Sequence, residues 1–92
     1  MDNRVLQEIK KMEEAQIFCN LLWANLPKCF SLSSVIKNKT IKVYITNHNI
    51  KNKRKNKKTR TYSFNEIDER KDDLWGLARD FAEEIKNDFQ NK

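Results

Sequence analysis

Residues 40–46 read TIKVYIT, and this short stretch decides the fold class. Isoleucine and valine occupy every second position, with lysine, tyrosine and threonine between them. Successive side chains of a β-strand point to opposite faces of the sheet, so the alternation predicts a strand with one apolar face and one wet face. The sequence therefore predicts a sheet that buries only one of its two faces.

The flanking segments predict two more strands. Upstream, residues 30–36 read FSLSSVI, and Lys37, Asn38 and Lys39 form a connection short enough for a hairpin turn. Downstream, residues 59–64 read TRTYSF and alternate again. We expect a three-stranded antiparallel meander of residues 30–36, 40–46 and 59–64, with a longer loop at about residues 47–58.

A helix is predicted on each side of the sheet segment. Apolar residues recur at spacings of three, four or seven over residues 3–26, and Pro27 stops the pattern. Ser63 and Glu66 match a capping box, and an apolar stripe follows, which predicts a second helix at about residues 66–90. We predict an α+β fold of order α-β-β-β-α, a three-stranded antiparallel sheet with two helices packed on one face. The 92 residues suffice for one modest core, so residues 1–92 are interpreted as a single domain.

The charges are segregated along the chain. The formal net charge is +6, yet no Asp or Glu occurs between Ala15 and Asn65, a window that contains eleven Lys or Arg. An AT-rich genome supplies lysine and asparagine codons freely, but it supplies acidic codons too, so composition alone does not explain the window. A basic balance of this kind favours nucleic acid or another anionic surface as partner over an acidic small substrate.

The most basic stretch is KNKRKNKKTR at residues 51–60. Lysines outnumber arginines five to two there, which favours contact with phosphates over bidentate recognition of bases. Alternating strands are expected to present Lys42, Tyr44, Arg60 and Tyr62 together on an adjoining face, where a ring can stack on unpaired bases. The predicted DNA- or RNA-binding residues are Lys42, Tyr44, Lys51, Lys53, Arg54, Lys55, Lys57, Lys58, Arg60 and Tyr62.

The first helix offers a second candidate surface. Its C-terminal half is apolar nearly all round, more than a small sheet can cover, which favours an additional interface. A homodimer through this helix, or its docking on a host protein, would use Phe18, Leu22, Trp23 and Leu26.

Three hypotheses of function follow. The first is a small non-enzymatic nucleic-acid-binding protein, a regulator or accessory factor of a virus or mobile element. The second is a protein-binding inhibitor of the viral counter-defence type, which blocks a host nucleic-acid-processing protein with its basic hairpin or its apolar helix. The third is a small ribonuclease toxin in which His48, the only histidine, acts as general base.

The predicted element order resembles two known groups, the double-stranded-RNA-binding domains and the HicA-type ribonuclease toxins. The first group has a lysine-rich start to its last helix, where this chain has the mostly acidic DERKDD at residues 68–73. The second uses a Gly-Ser-His motif, whereas His48 is flanked by two asparagines. The order of elements therefore assigns no family.

Composition also bears on compartment and cofactors. With Cys19, Cys29 and one histidine, the chain lacks the ligands of an ordinary four-ligand zinc site, and no cofactor is predicted. A free, buried thiol is the favoured state of Cys19 and suits a cytoplasmic protein. The N-terminus has no apolar signal core, and the longest apolar-rich stretch is too short to span a bilayer, so no membrane association is expected.

Overall fold

The computed structural model describes residues 3–90, and it confirms the predicted α+β fold. A long helix is followed by three antiparallel strands in one open sheet and then by two helices. The elements are α1 (Asn3–Ala24), β1 (Phe30–Lys37), β2 (Thr40–Asn47), β3 (Lys57–Ser63), α2 (Phe64–Asp68), a 3₁₀ turn (Lys71–Asp73) and α3 (Leu74–Gln90).

The sheet has the strand order β1-β2-β3, and a two-residue turn sets its register. Lys37 pairs with Thr40, and the two residues between them, Asn38 and Lys39, have φ angles of 52° and 61°. Positive φ at both central positions is the requirement of a type I′ turn, whose twist matches that of the flanking strands. The Thr40 hydroxyl donates a hydrogen bond of 2.6 Å to the Lys37 carbonyl and closes the turn.

One face of the sheet forms the core. Ile41, Val43 and Ile45 of β2 are at most 1% exposed, whereas the residues between them face solvent, as the alternation predicts. α1 and α3 cover the buried face. Phe18 of α1 meets Tyr62 of β3 edge to face at a centroid distance of 5.2 Å, and Tyr62 in turn stacks at 4.6 Å on Phe81 of α3.

The predicted helix at residues 66–90 is wrong in detail, because it is broken into two. The Ser63 hydroxyl accepts a hydrogen bond from the Glu66 N–H, so the capping box starts α2 at Phe64. The backbone leaves the helical region at Arg70, with φ −113° and ψ 22°. The Asp73 carboxylate then accepts a hydrogen bond from the Gly76 N–H at 3.1 Å and caps the first turn of α3.

The interface predicted on the first helix is also mostly wrong. Phe18 and Leu22 are fully buried and Leu26 is only 9% exposed, so these three residues belong to the core, and Trp23 alone is exposed. The helix ends at Ala24, two residues earlier than predicted. Its N-terminal half exposes apolar side chains instead, those of Val5, Leu6, Ile9 and Met12.

Two further sequence expectations concern the thiols and the membrane. Cys19 is buried and Cys29 is half-buried, and both thiols are free. No helix in residues 3–90 has both the length and the apolarity needed to cross a bilayer.

Candidate nucleic-acid interface

Asparagines give the basic loop between β2 and β3 its shape. The Asn47 N–H donates to the Asn56 carbonyl at 2.8 Å and closes the base of the loop. At the tip, the Asn52 side-chain oxygen accepts from the Arg54 N–H at 2.9 Å, and the Asn52 carbonyl accepts from the N–H groups of Lys55 and Asn56. Asparagine favours such turns because its side chain bonds to the backbone two residues ahead. The asparagines of this loop therefore have a structural role that AT-rich composition does not account for.

Five of the seven cations in the basic stretch at residues 51–60 remain available to a ligand. All five side chains are exposed, and in the described part of the chain none forms an ion pair with a carboxylate. They occupy the loop and the first position of β3: Lys51, Lys53, Arg54, Lys55 and Lys57. We call this set the cationic loop.

The other two cations of the basic stretch turn toward α3. Arg60 pairs with Val43 and Lys58 pairs with Ile45 across the β2–β3 ladder, so both lie on the face that the helices cover. Arg60 forms an ion pair with Asp88 of α3. The Lys58 Nζ lies 5.6 Å from the centroid of the Phe89 ring. Both cations thus already have partners within the fold.

The pairing between β2 and β3 also contradicts the prediction that two tyrosines and two cations share one face of the sheet. Lys42 pairs with Thr61 and Tyr44 with Thr59, which places Lys42 and Tyr44 on the outer face, opposite to Arg60 and Tyr62. We predicted all four on one face, and that prediction is wrong.

Tyr62 belongs to the aromatic core. It is 5% exposed, and burial raises the pKa of its hydroxyl to about 12. Its ring is therefore inaccessible to a base. Tyr44 is 41% exposed on the outer face, with the Lys42 Nζ 5.4 Å from its ring centroid.

The outer face of the sheet is polar and carries no acid. No Asp or Glu occurs in the three strands, and hydroxyl side chains surround Tyr44. The residues of the outer face are Ser31, Ser33, Val35 and Lys37 of β1, Thr40, Lys42, Tyr44 and Thr46 of β2, and Lys57, Thr59, Thr61 and Ser63 of β3. Lys57 belongs both to this face and to the cationic loop, so the two surfaces are continuous.

His48 lies at the start of the loop and joins it to β1. Its N–H donates to the Cys29 carbonyl at 2.8 Å, and its Nε2 lies 2.8 Å from the Ser31 hydroxyl oxygen. An imidazole beside a hydroxyl is the first half of an activated nucleophile, but a third group normally orients the base. No carboxylate in residues 3–90 makes a hydrogen bond to this ring. The geometry fits a structural role in which His48 holds the loop against β1 through its contacts with Cys29 and Ser31. No sequence pattern predicts the pairing of His48 with Ser31, which is 17 positions away.

The site consists of the exposed cationic loop and the adjoining outer face of the sheet. A groove of about 530 Å³ lies at the other end of the molecule, between the first half of α1 and the β1–β2 turn, with Met12, Lys39 and Phe64 in its lining. No cluster of three or more histidine, cysteine or acidic side chains within residues 3–90 could hold a metal ion.

Comparisons with protein-family models, with curated proteins and with solved structures find no match for this chain.

Proposed function

We propose that this protein binds nucleic acid through the cationic loop, without catalysing a reaction. The observation that carries the proposal is that the five loop cations are exposed and have no carboxylate partner within residues 3–90, although the chain has thirteen acidic residues. Lysines on a turn offer mobile point charges to successive phosphates, and each contact releases condensed counterions. Affinity that depends strongly on salt and weakly on sequence follows from this chemistry.

The outer face extends the proposed site from phosphates to bases. Lys42 and Lys57 supply charge there, and Tyr44 supplies a ring among hydroxyl groups that can donate to phosphate or sugar oxygens. Bases can stack on an exposed ring only when they are unpaired. Single-stranded RNA or DNA would therefore engage both surfaces, and a duplex would engage the loop alone.

The test is the salt dependence of binding, measured by fluorescence anisotropy with mixed-sequence DNA and RNA. Five phosphate contacts to duplex DNA predict that affinity falls about 500-fold between about 50 and about 200 mM salt. Replacement of Lys51, Lys53 and Lys55 by alanine leaves two loop contacts, and the fall should then be only about 12-fold.

A charge-matched control separates local contact from net charge. Lys10, Lys71 and Arg79 are exposed cations on the helical side, and their joint replacement by alanine removes the same three charges. We expect this control variant to keep the salt slope of the wild-type protein. Equal slopes for the two triple variants would contradict the proposal, as would an unchanged slope in the loop variant.

We propose that the protein is encoded by a virus or another mobile element and acts in the cytoplasm, a compartment that its two free thiols suit.

Affinity capture after nuclease treatment tests the competing hypothesis, an inhibitor of a host protein. Loss of all partners on nuclease treatment supports the nucleic-acid proposal, and one stoichiometric protein that survives it supports an inhibitor. RNA incubated with the wild-type protein should stay intact; cleavage that His48→Ala abolishes would overturn the non-catalytic proposal.

A further inference from the structure

The two edges of the sheet differ in how they are protected from pairing. β3 carries Lys57, Lys58 and Arg60, and charged side chains on an edge strand discourage pairing with another strand. β1, the opposite edge, has no charged residue from Phe30 to Ile36 and no proline. Its eight residues extend about 26 Å. β1 is therefore the edge that leaves a long, neutral row of backbone groups open to a partner strand.

Exposed apolar side chains of α1 lie beside both ends of this edge, and the side chains of Glu13, Gln16 and Asn20 lie between them. Ile9 and Met12 lie next to Ile36, at one end of β1, and are 46% and 44% exposed. Trp23 lies next to Leu32, toward the other end, and is 58% exposed. Leu32 and Ile36 themselves are only partly buried. The β1 edge and the α1 side chains beside it together form one surface, which we call the β1 edge surface.

We propose that a second copy of this chain occupies the β1 edge surface, with β1 pairing antiparallel to the partner's β1 around a twofold axis. Even-numbered residues of β1 face the helices, so the helix layers of both copies stay on one side only if even positions pair with even positions. A register centred on Ser34 satisfies this condition and sets Leu32 opposite the partner's Ile36. The same symmetry brings Met12 next to the partner's Trp23.

Self-complementarity and charge favour a second copy over another occupant. A twofold interface needs one patch that matches itself, and the β1 edge surface provides a neutral strand and apolar groups at both ends. The cationic loop adjoins the Phe30 end of β1, because the His48 N–H bonds to the Cys29 carbonyl. Antiparallel pairing therefore puts the two loops at opposite ends of a six-stranded sheet, which keeps their charges apart. A polyanion has no cation to contact on β1 before Lys37.

Sedimentation equilibrium without nucleic acid tests this proposal. We expect a species of twice the 11.1 kDa chain mass that dissociates on dilution. Met12→Lys and Trp23→Lys should each raise the dissociation constant at least about tenfold, because an interface cannot readily bury an unpaired ammonium. Both positions are exposed in the monomer, so far-UV circular dichroism should be unchanged.

Ile17→Lys is the matched control. Ile17 is 50% exposed on the same helix, but it lies about 120° around the helix axis from Trp23, away from β1. This variant should dimerise like the wild-type protein. Hydrogen exchange of the unaltered protein adds a second measurement, in which β1 amides should gain protection as concentration rises. A wild-type protein that stays monomeric at the highest soluble concentration would overturn the proposal, and so would a dimer that Ile17→Lys weakens as much as Trp23→Lys.

Discussion

Tyr44→Val should weaken the binding of single strands and spare the binding of duplexes. Tyr44 is 41% exposed in the central strand, and valine, like tyrosine, favours a β-strand, so Tyr44→Val keeps the strand propensity while removing the ring. A base stacked on an aromatic side chain contributes about 1–3 kcal/mol, which corresponds to a factor of about 5–140 in affinity. Because the Lys42 ammonium already lies 5.4 Å from the ring centroid, we expect the lower end, a loss of about 5- to 10-fold.

The assay compares one short single-stranded RNA with the duplex of the same sequence, by anisotropy at one salt concentration. Duplex bases are stacked on each other, so the duplex affinity should change by less than about twofold. Thr59→Val, at the position directly opposite Tyr44, is the control for disturbance of the outer face. If Tyr44→Val weakens both ligands equally, or neither, then the outer face does not contact bases.

Three further predictions concern stability. Burial, and then the neighbouring Asp68 carboxyl, raise the pKa of Glu14, so the native protein keeps the Glu14 carboxyl protonated to a higher pH than the unfolded chain does. The contribution of Glu14 to the free energy of unfolding is therefore fully present below the unfolded pKa of about 4.5, and it is lost as pH rises through the raised native pKa. Glu14→Gln should therefore raise Tm at pH 7, with the gain vanishing below pH 4.5 in thermal melts. Lys39→Gly should raise the free energy of unfolding by about 0.5–1 kcal/mol in urea titrations, because glycine adopts the positive φ of 61° without strain. Gly76→Ala should fail to give the usual helix gain of about 1 kcal/mol, because a Cβ there collides with the Asp73 carboxylate; the gain should return in an Asp73→Ala background.

The strand pattern was predictable because one-sided burial imposes alternation on each strand separately. The inward set Ile41, Val43 and Ile45 is visible in the sequence, and so is the common side of Arg60 and Tyr62. The alternation within β3 does not show which of its two sides faces the core, because that depends on how β3 pairs with β2. An available signal was overlooked, since the aromatic residues of TYSF at residues 61–64 mark their side of the chain as apolar, and so as the inward side.

The face that α1 buries was harder to predict, because two apolar stripes compete on this helix. Its 22 residues extend about 33 Å, longer than the strands it covers, so its first turns pass beyond the sheet. Ala15, Phe18 and Leu22 fill the core, and the stripe through Met12 and Trp23 remains exposed. The helical periodicity is compatible with burial of either stripe, and the positions of the sheet and of α3 determine which one is buried.

The fold also determines which cations the chain's own acids can neutralise. α3 lies against the inward face of β3, and its Asp88 therefore reaches Arg60, whose side chain points to that face. Lys57 is only three positions away, yet it projects from the opposite face, where the strands supply no carboxylate. The sheet itself stands between the acidic helix and the outward cations. Segregation of charge along the sequence thus becomes segregation across the sheet, and carboxylates of the strands do not neutralise the positive field of the cationic loop.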